Sequence, residues 1–265
     1  MAFRRLLRGT VPWPTLEGAV REVMDRYDLG SARVVFLEAD NWLSTPCVVN
    51  DRLFVKVVTQ QNSLVHALLT AGRNLGAFSS GTEGFFERFD APIEMARHEL
   101  EANERMREIG VNAPEPKEAF EFDDVAVMVL EYLPEFRSLG DLPPDQVRLH
   151  AVDLFEALER MHDHNLAHGD LQRENVLVSG GELYFIDATK VRDDAIEDAR
   201  AYDTACALGA LEPLIGARHA VTAALEVHDT DALMAARDFL DFVNIRPEHD
   251  FDGAALKGEI EKHAA

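Results

Sequence analysis

The chain has 265 residues, enough to bury one large core or two smaller ones, and its 47% apolar content excludes wholesale disorder. Twenty-six basic residues against 48 acidic ones leave a formal net charge of −22, which excludes an extended nucleic-acid surface and general attraction to anionic membrane. Cys47 and Cys206 stand far apart with no CxxC partner, which fits neither a disulfide framework nor a cysteine metal site and points to a reducing cytosol.

Such acidity suits solvation in a salt-rich cytoplasm, where screening relieves self-repulsion, and supports the hypothesis of a halophilic archaeal origin. Met1 to Arg8 is basic but lacks the apolar core of a signal peptide, and the longest apolar run, Val125 to Leu130, is strand-sized. A cytoplasmic protein is expected.

In chain order, Thr15 to Tyr27 reads as an amphipathic helix ended near Gly30. Arg33 to Leu37 reads as a strand. Cys47 to Asn50 and Leu53 to Val58 flank an Asn50-Asp51 turn, a hairpin signal. Gln60 to Pro92 is read as an insertion with a short helix around Leu64 to Ala71 and a loop-like Gly/Ser patch from Gly76 to Gly84. Met95 to Ile109 predicts a helix stopped by Gly110, Pro114 and Pro116. Strands follow at Ala119 to Phe122 and Val125 to Leu133.

Beyond Leu133 the pattern turns helical. Asp145 is placed to cap a helix whose apolar residues Val147, Ala151, Leu154, Phe155, Leu158 and Met161 recur at helical spacing. A hairpin, Asn175 to Val178 and Leu183 to Ile186, is joined through Ser179-Gly180-Gly181. The remainder reads as short helices broken at Pro213, Gly216 and Pro247. The change near Pro134 predicts a boundary between two lobes, residues 1–133 and 134–265.

The chemistry concentrates in His168-Gly169-Asp170-Leu171-Gln172-Arg173-Glu174-Asn175, with Asp187 following the hairpin's return strand. Phosphoryl transfer needs positioned charge more than covalent help. Asp170 is the candidate to accept the hydroxyl proton or orient the nucleophile. Asn175 and Asp187 supply the hard oxygen ligands that suit Mg²⁺.

These residues resemble the H-R-D-L-x-x-x-N catalytic loop of protein kinases, in the H-G-D form of atypical and small-molecule kinases. Phe185-Ile186-Asp187-Ala188-Thr189-Lys190-Val191 stands where D-F-G would, and is similar to the RIO family of atypical kinases and ATPases. The resemblance runs in order from about Arg33 to Leu211. It implies an α+β, two-lobed protein-kinase-like fold with a truncated helical second lobe, binding ATP and Mg²⁺. Lys56 is then the strand lysine that meets the phosphates, with Glu99 as its helix partner and Glu101 and Glu94 as fallbacks. Glu131 and Leu133 are the hinge residues whose backbone meets adenine. Asp187 becomes the second catalytic acid, able in RIO relatives to carry a phosphoryl group during an ATPase cycle. The resemblance also implies a protein substrate or a ribosome-maturation complex as partner, docked locally, with Arg4, Arg5 and Arg8 as the candidate patch.

Two departures stand out. The loop Glu38 to Pro46, which should cover the phosphates, has no glycine and carries Asp40; Ser44 and Thr45 hydroxyls are its substitutes. Phe54 shares a strand face with Lys56, where kinases carry a small residue against adenine.

Blander readings compete with each of these. Lys56 alone could be a snorkelling lysine, and Glu99 a solvated face residue. His168 is expected to brace the loop, and His162, His164 and His168 are read as solvated histidines rather than a metal cluster. Trp42 is read as packing over the sheet edge. Asp203 is either an exposed acid or a buried one that hydrogen-bonds the catalytic-loop backbone, and the second is preferred. Two rival functions stay open: a small-molecule kinase of the aminoglycoside or choline type, and a nucleotide-binding pseudokinase scaffold.

Overall fold

A computed structural model describes residues 11–37, 44–62, 70, 86–87, 89, 91–192, 195–246 and 249–264. The loop residues Asp40 and Trp42, the Gly76 to Gly84 patch, nearly all of the helix expected around Leu64 to Ala71, the arginines near the N-terminus and Pro247 lie outside them. The chain divides into two compact units. One comprises Met1–Ala71, Arg88–Arg105 and Pro114–Pro134; the other comprises Gly72–Glu87, Met106–Ala113 and Glu135–Ala265.

Among its described residues, the first unit is an antiparallel five-stranded sheet with a helix on each face. Strands β1 (Val34–Phe36), β2 (Thr45–Val49), β3 (Leu53–Thr59), β4 (Pro116–Phe122) and β5 (Val125–Glu131) lie in the order β1-β2-β3-β5-β4. Asn50 and Asp51 both take positive φ, 54° and 51°, as a type I′ hairpin requires, and the Arg52 amide closes it on the Val49 carbonyl at 3.1 Å. Alternation then sorts β3. Leu53, Val55 and Val57 face helix α1 (Trp13–Arg26), against Leu16, Ala19, Val20 and Val23. Phe54 and Val58 face helix α2 (Pro92–Glu108) together with Ile93, Ala96, Met128 and Leu130. Burying each such Val or Leu stabilises the fold by about 1.5–3 kcal/mol. Lys56 falls on the α2 face, the one charged residue of the strand.

Helix α2 starts at Pro92, three residues before the periodicity suggested, because proline is well tolerated in a first turn whose N–H would be unbonded. It ends in a Schellman motif: Gly110 (φ 77°) donates to the Arg107 carbonyl, and Val111 donates to the Met106 carbonyl at 2.8 Å.

The second unit carries helix α3 (Pro144–Asp163), a small sheet and four further helices. Asp145 does not cap α3; Pro143 occupies the cap position without a side-chain bond, and Asp145 lies in the first turn, where its charge complements the helix dipole. At the other end, Asn165 (φ 53°) ends α3, with Asn165 bonded to the His162 carbonyl and Leu166 to the Met161 carbonyl. Strands β6 (Arg137–Ser138), β7 (Val176–Ser179) and β8 (Glu182–Phe185) form the small sheet, turned by Gly180 and Gly181 at positive φ.

After Asp187 come α4 (Ile196–Ile215), α5 (Ala217–Leu225), α6 (Thr230–Ile245) and α7 (Gly253–Ala264). This helical part is more substantial than the short segments read from sequence. Pro213 does not break α4, which runs 20 residues to Ile215; in the last turn a proline forfeits only one ladder bond. Helix α4 is buried nearly all round, the mark of a central helix. Among the described residues, no helix is long and apolar enough to cross a membrane.

Candidate active site

In the first unit, Lys56 Nζ lies 2.5 Å from Glu99 Oε1, and both residues are buried. Glu99 meets the strand lysine, so neither bland reading holds: Lys56 does not snorkel to water, and Glu99 is not a solvated face residue. Two charges taken out of water this way must be paired to be tolerated. Phe54, two residues before Lys56, shares its face, with its ring centroid 5.8 Å from Nζ, a cation–π distance. Ser44 sits just before β2; it is buried, and its hydroxyl finds no hydrogen-bond partner among the described residues. Glu131 ends β5 opposite Leu53, and its amide is already committed to the Glu115 carbonyl at 2.9 Å. Its backbone could therefore meet a ligand only through the carbonyl. Leu133 lies two residues on, buried.

In the second unit the loop from His168 to Asn175 is held from beneath by α4. Asp203 is fully buried; Oδ2 accepts from the His168 amide at 2.6 Å and Oδ1 from the Gly169 amide at 2.8 Å. His162 Nε2 lies 3.3 Å from Oδ2, adding a third partner to the same carboxylate. A buried carboxylate needs such partners. The buried alternative for Asp203 is therefore the one found.

The reading of His162 and His168 as solvated is overturned, since both are buried; only His164 is exposed. Burial holds the His168 imidazole pKa below its ordinary value, against the pull of Asp203, Asp170 and Asp187. His168 is thus a neutral prop among three acids. Its Nδ1 receives the Asp170 amide at 3.3 Å, and its carbonyl receives the Thr189 amide at 2.8 Å. Among the described residues, no cluster of three or more His, Cys, Asp or Glu has metal-binding geometry.

Gly169 has φ 73°, and a Cβ there would meet Val191 Cγ2 at 3.1 Å and the Thr189 carbonyl at 3.2 Å. The second position of the motif therefore needs glycine in this chain. Asn175 Nδ2 donates to the Asp170 carbonyl at 2.8 Å, which turns its amide oxygen into the atom left for a ligand. The Ile186 amide donates to the Asn175 carbonyl at 3.1 Å, so the residue that precedes Asp187 is tied to Asn175. Asp187 takes φ 61°, a left-handed backbone that aspartate tolerates better than most residues. The donor set of an amide oxygen and a carboxylate fits Mg²⁺, which takes few protein ligands and completes its shell with phosphate and water.

One residue of this constellation was not singled out from sequence. Arg246, at the C-terminal end of α6, donates from Nη2 to Asp170 Oδ1 and from Nη1 to the Tyr202 hydroxyl. Its only sequence signal is a cation at a helix C-terminus before Pro247, which reads equally well as dipole compensation. Burial would lower the guanidinium pKa, but its neighbours Tyr202, Asp170 and Cys206 outweigh that and hold it well above its ordinary value.

Residues 87–202, under half of the chain, match the family model of the RIO domain. Over 100 residues the chain is 31% identical to serine/threonine-protein kinase 36 of Pongo abelii, a match covering 33% of this chain and 8% of that protein's length. The crystal structure of a type VIII aminoglycoside-3'-phosphotransferase superposes with a TM-score of 0.52 at 18% identity, covering 86% of this chain and 99% of that one. The PknI kinase domain of Mycobacterium tuberculosis gives a TM-score of 0.43 at 14% identity, covering 89% of this chain and 96% of that one. The chain thus has a protein-kinase-like fold, with an antiparallel sheet in one unit and helices in the other, and the stretch that bears the His168 to Asn175 loop matches the RIO domain.

Proposed function

We propose that this chain is an atypical kinase-type phosphotransferase that moves the γ-phosphoryl group of Mg–ATP to a protein serine, to itself or to water. The observation that carries the reading is the pinned loop: Asp203 fixes the His168 and Gly169 amides, and the Ile186 amide bonds the Asn175 carbonyl where the β7–β8 hairpin ends. The RIO-domain match across this stretch supports it.

In this reading Asp170 orients the acceptor hydroxyl and takes its proton. Asn175 and Asp187 hold Mg²⁺, which when bound neutralises charge on the phosphates. Lys56, kept in place by Glu99, contacts the phosphates, while the Glu131 carbonyl and the Leu133 amide meet the adenine edge. The buried Ser44 hydroxyl is the available donor where a glycine loop is lacking. The net charge of −22 supports a salt-rich cytoplasm as the setting.

A small-molecule acceptor is the second reading. The 20-residue α4 and the three helices after it supply more material for an acceptor pocket than the sequence suggested. The test is radiolabelled ATP with wild type, Asp170→Ala and Asp187→Ala, scored with and without a panel of aminoglycosides and small alcohols. Acid-stable label on serine that Asp170→Ala abolishes supports the protein-kinase form. Hydroxylamine-labile label that Asp187→Ala abolishes supports an aspartyl-phosphate ATPase cycle. Turnover that appears only with a small alcohol transfers the proposal to the second reading, and no turnover under any condition overturns both.

A further inference from the structure

The contact between Arg246 and Asp170 joins the far end of the chain to the loop, 76 positions away in sequence. Both side chains are buried, and the guanidinium is gripped on its other branch by the Tyr202 hydroxyl. Tyr202 is itself fixed: it is fully buried, with the rings of Phe86, Phe239 and Phe242 at 5.3, 6.2 and 5.5 Å. Adjacent residues of α4 therefore act on the loop in different ways. Asp203 holds the backbone of His168 and Gly169, and Tyr202 holds the arginine that holds the Asp170 side chain.

We propose that Arg246 is a positioning residue for phosphoryl transfer, fixing the rotamer of Asp170 so that its carboxylate meets the acceptor hydroxyl. This rests on the reading of Asp170 as the proton acceptor. Misplacement of a reacting carboxylate by about 1 Å can cost on the order of 100-fold in rate, and a charged hydrogen bond from a buried, doubly held guanidinium restricts where that carboxylate sits. Arginine suits the task better than lysine because its planar fork can bond two oxygens in fixed directions, here Tyr202 and Asp170. The backbone at Arg246 is braced as well: its amide donates to the Val243 carbonyl at 3.1 Å and its carbonyl receives the His249 amide at 3.0 Å. A structural ion pair would stabilise the fold and do nothing specific to the chemical step. A positioning pair would act on kcat and leave nucleotide affinity alone.

The experiment compares wild type, Asp170→Asn, Arg246→Gln, Arg246→Lys and Tyr202→Phe in steady-state ATP turnover, with ATP affinity by calorimetry and thermal midpoints for each. The expected result is that Arg246→Gln lowers kcat by about 10–100-fold with KM for ATP unchanged. Arg246→Lys, which keeps the charge without the fork, should recover part of the loss, and Tyr202→Phe should give a smaller fall in kcat alone. If Arg246→Gln does not fold, Tyr202→Phe, which loses one hydroxyl inside an intact aromatic cluster, decides the matter. Active wild type, inactive Asp170→Asn and wild-type kcat in the folded Arg246 or Tyr202 variants would overturn this inference alone. Wild type without turnover, or Asp170→Asn with full turnover, would overturn the underlying reading, and this inference with it.

Discussion

Lys56 Nζ and Glu99 Oε1 lie 2.5 Å apart in a buried ion pair that ties β3 to α2. Such a pair is fragile to one-sided loss, because the remaining charge is left desolvated. Lys56→Met should cost about 3–5 kcal/mol of stability in urea denaturation. The double variant Lys56→Met with Glu99→Leu should regain most of that loss, since both charges are gone. Neither should turn over ATP at more than about one hundredth of the wild-type rate if Lys56 contacts the phosphates.

Gly169 is the position where the loop has least room. Gly169→Ala places an L-residue at φ 73° against the Thr189 carbonyl and Val191. The expected penalty is about 1–2 kcal/mol from the left-handed backbone. Turnover should fall more steeply than stability, because relief of the clash moves the Asp170 backbone. Chemical denaturation beside a rate measurement checks both.

Asp203 offers a different test, since it touches backbone rather than ligand. Asp203→Asn keeps its size but replaces one acceptor with a donor, so it must abandon either the His168 or the Gly169 amide. A loss of about 2–3 kcal/mol is expected. In hydrogen exchange, the His168 and Gly169 amides should lose protection while those of β3 keep theirs.

Histidine burial sets the response to acid. His168 and His228 both have pKa values held below the ordinary 6.5, chiefly by burial, although Glu159 opposes this at His228. Well above pH 6.5 these groups are neutral in both folded and unfolded chains and contribute no pH dependence. As pH falls below 6.5 the unfolded chain takes up protons that the folded chain resists, so stability must drop. Urea midpoints should therefore fall between pH 7.5 and 5.5, and His228→Gln should flatten that slope.

The parts of this molecule that were legible in sequence are those encoded by short-range rules. Asn50-Asp51 and Gly180-Gly181 announce their hairpins because few residues accept two positive φ angles in succession. The face shared by Phe54 and Lys56 follows from strand alternation alone. Asp203 was legible because an acid in an apolar helix demands a buried partner. The illegible parts depend on tertiary contact. Pro213 reads as a break, yet costs little in the last turn of a helix that packing holds on nearly every side. His162 reads as a surface histidine near a helix end until α4 brings Asp203 against it. Arg246 lies 76 residues from Asp170, and no local pattern marks an arginine whose partner is that distant.

The central claim is that Asn175 and Asp187 form a Mg²⁺–nucleotide site, and calorimetric titration of ATP tests it most directly. Binding should be micromolar with Mg²⁺, at least tenfold weaker with excess chelator, and weakened at least tenfold by Asp187→Ala, in keeping with the loss of one of two protein ligands. Asp203→Asn should bind nearly as well as wild type. No binding in the presence of Mg²⁺, or binding indifferent to both Mg²⁺ and Asp187, would contradict the account.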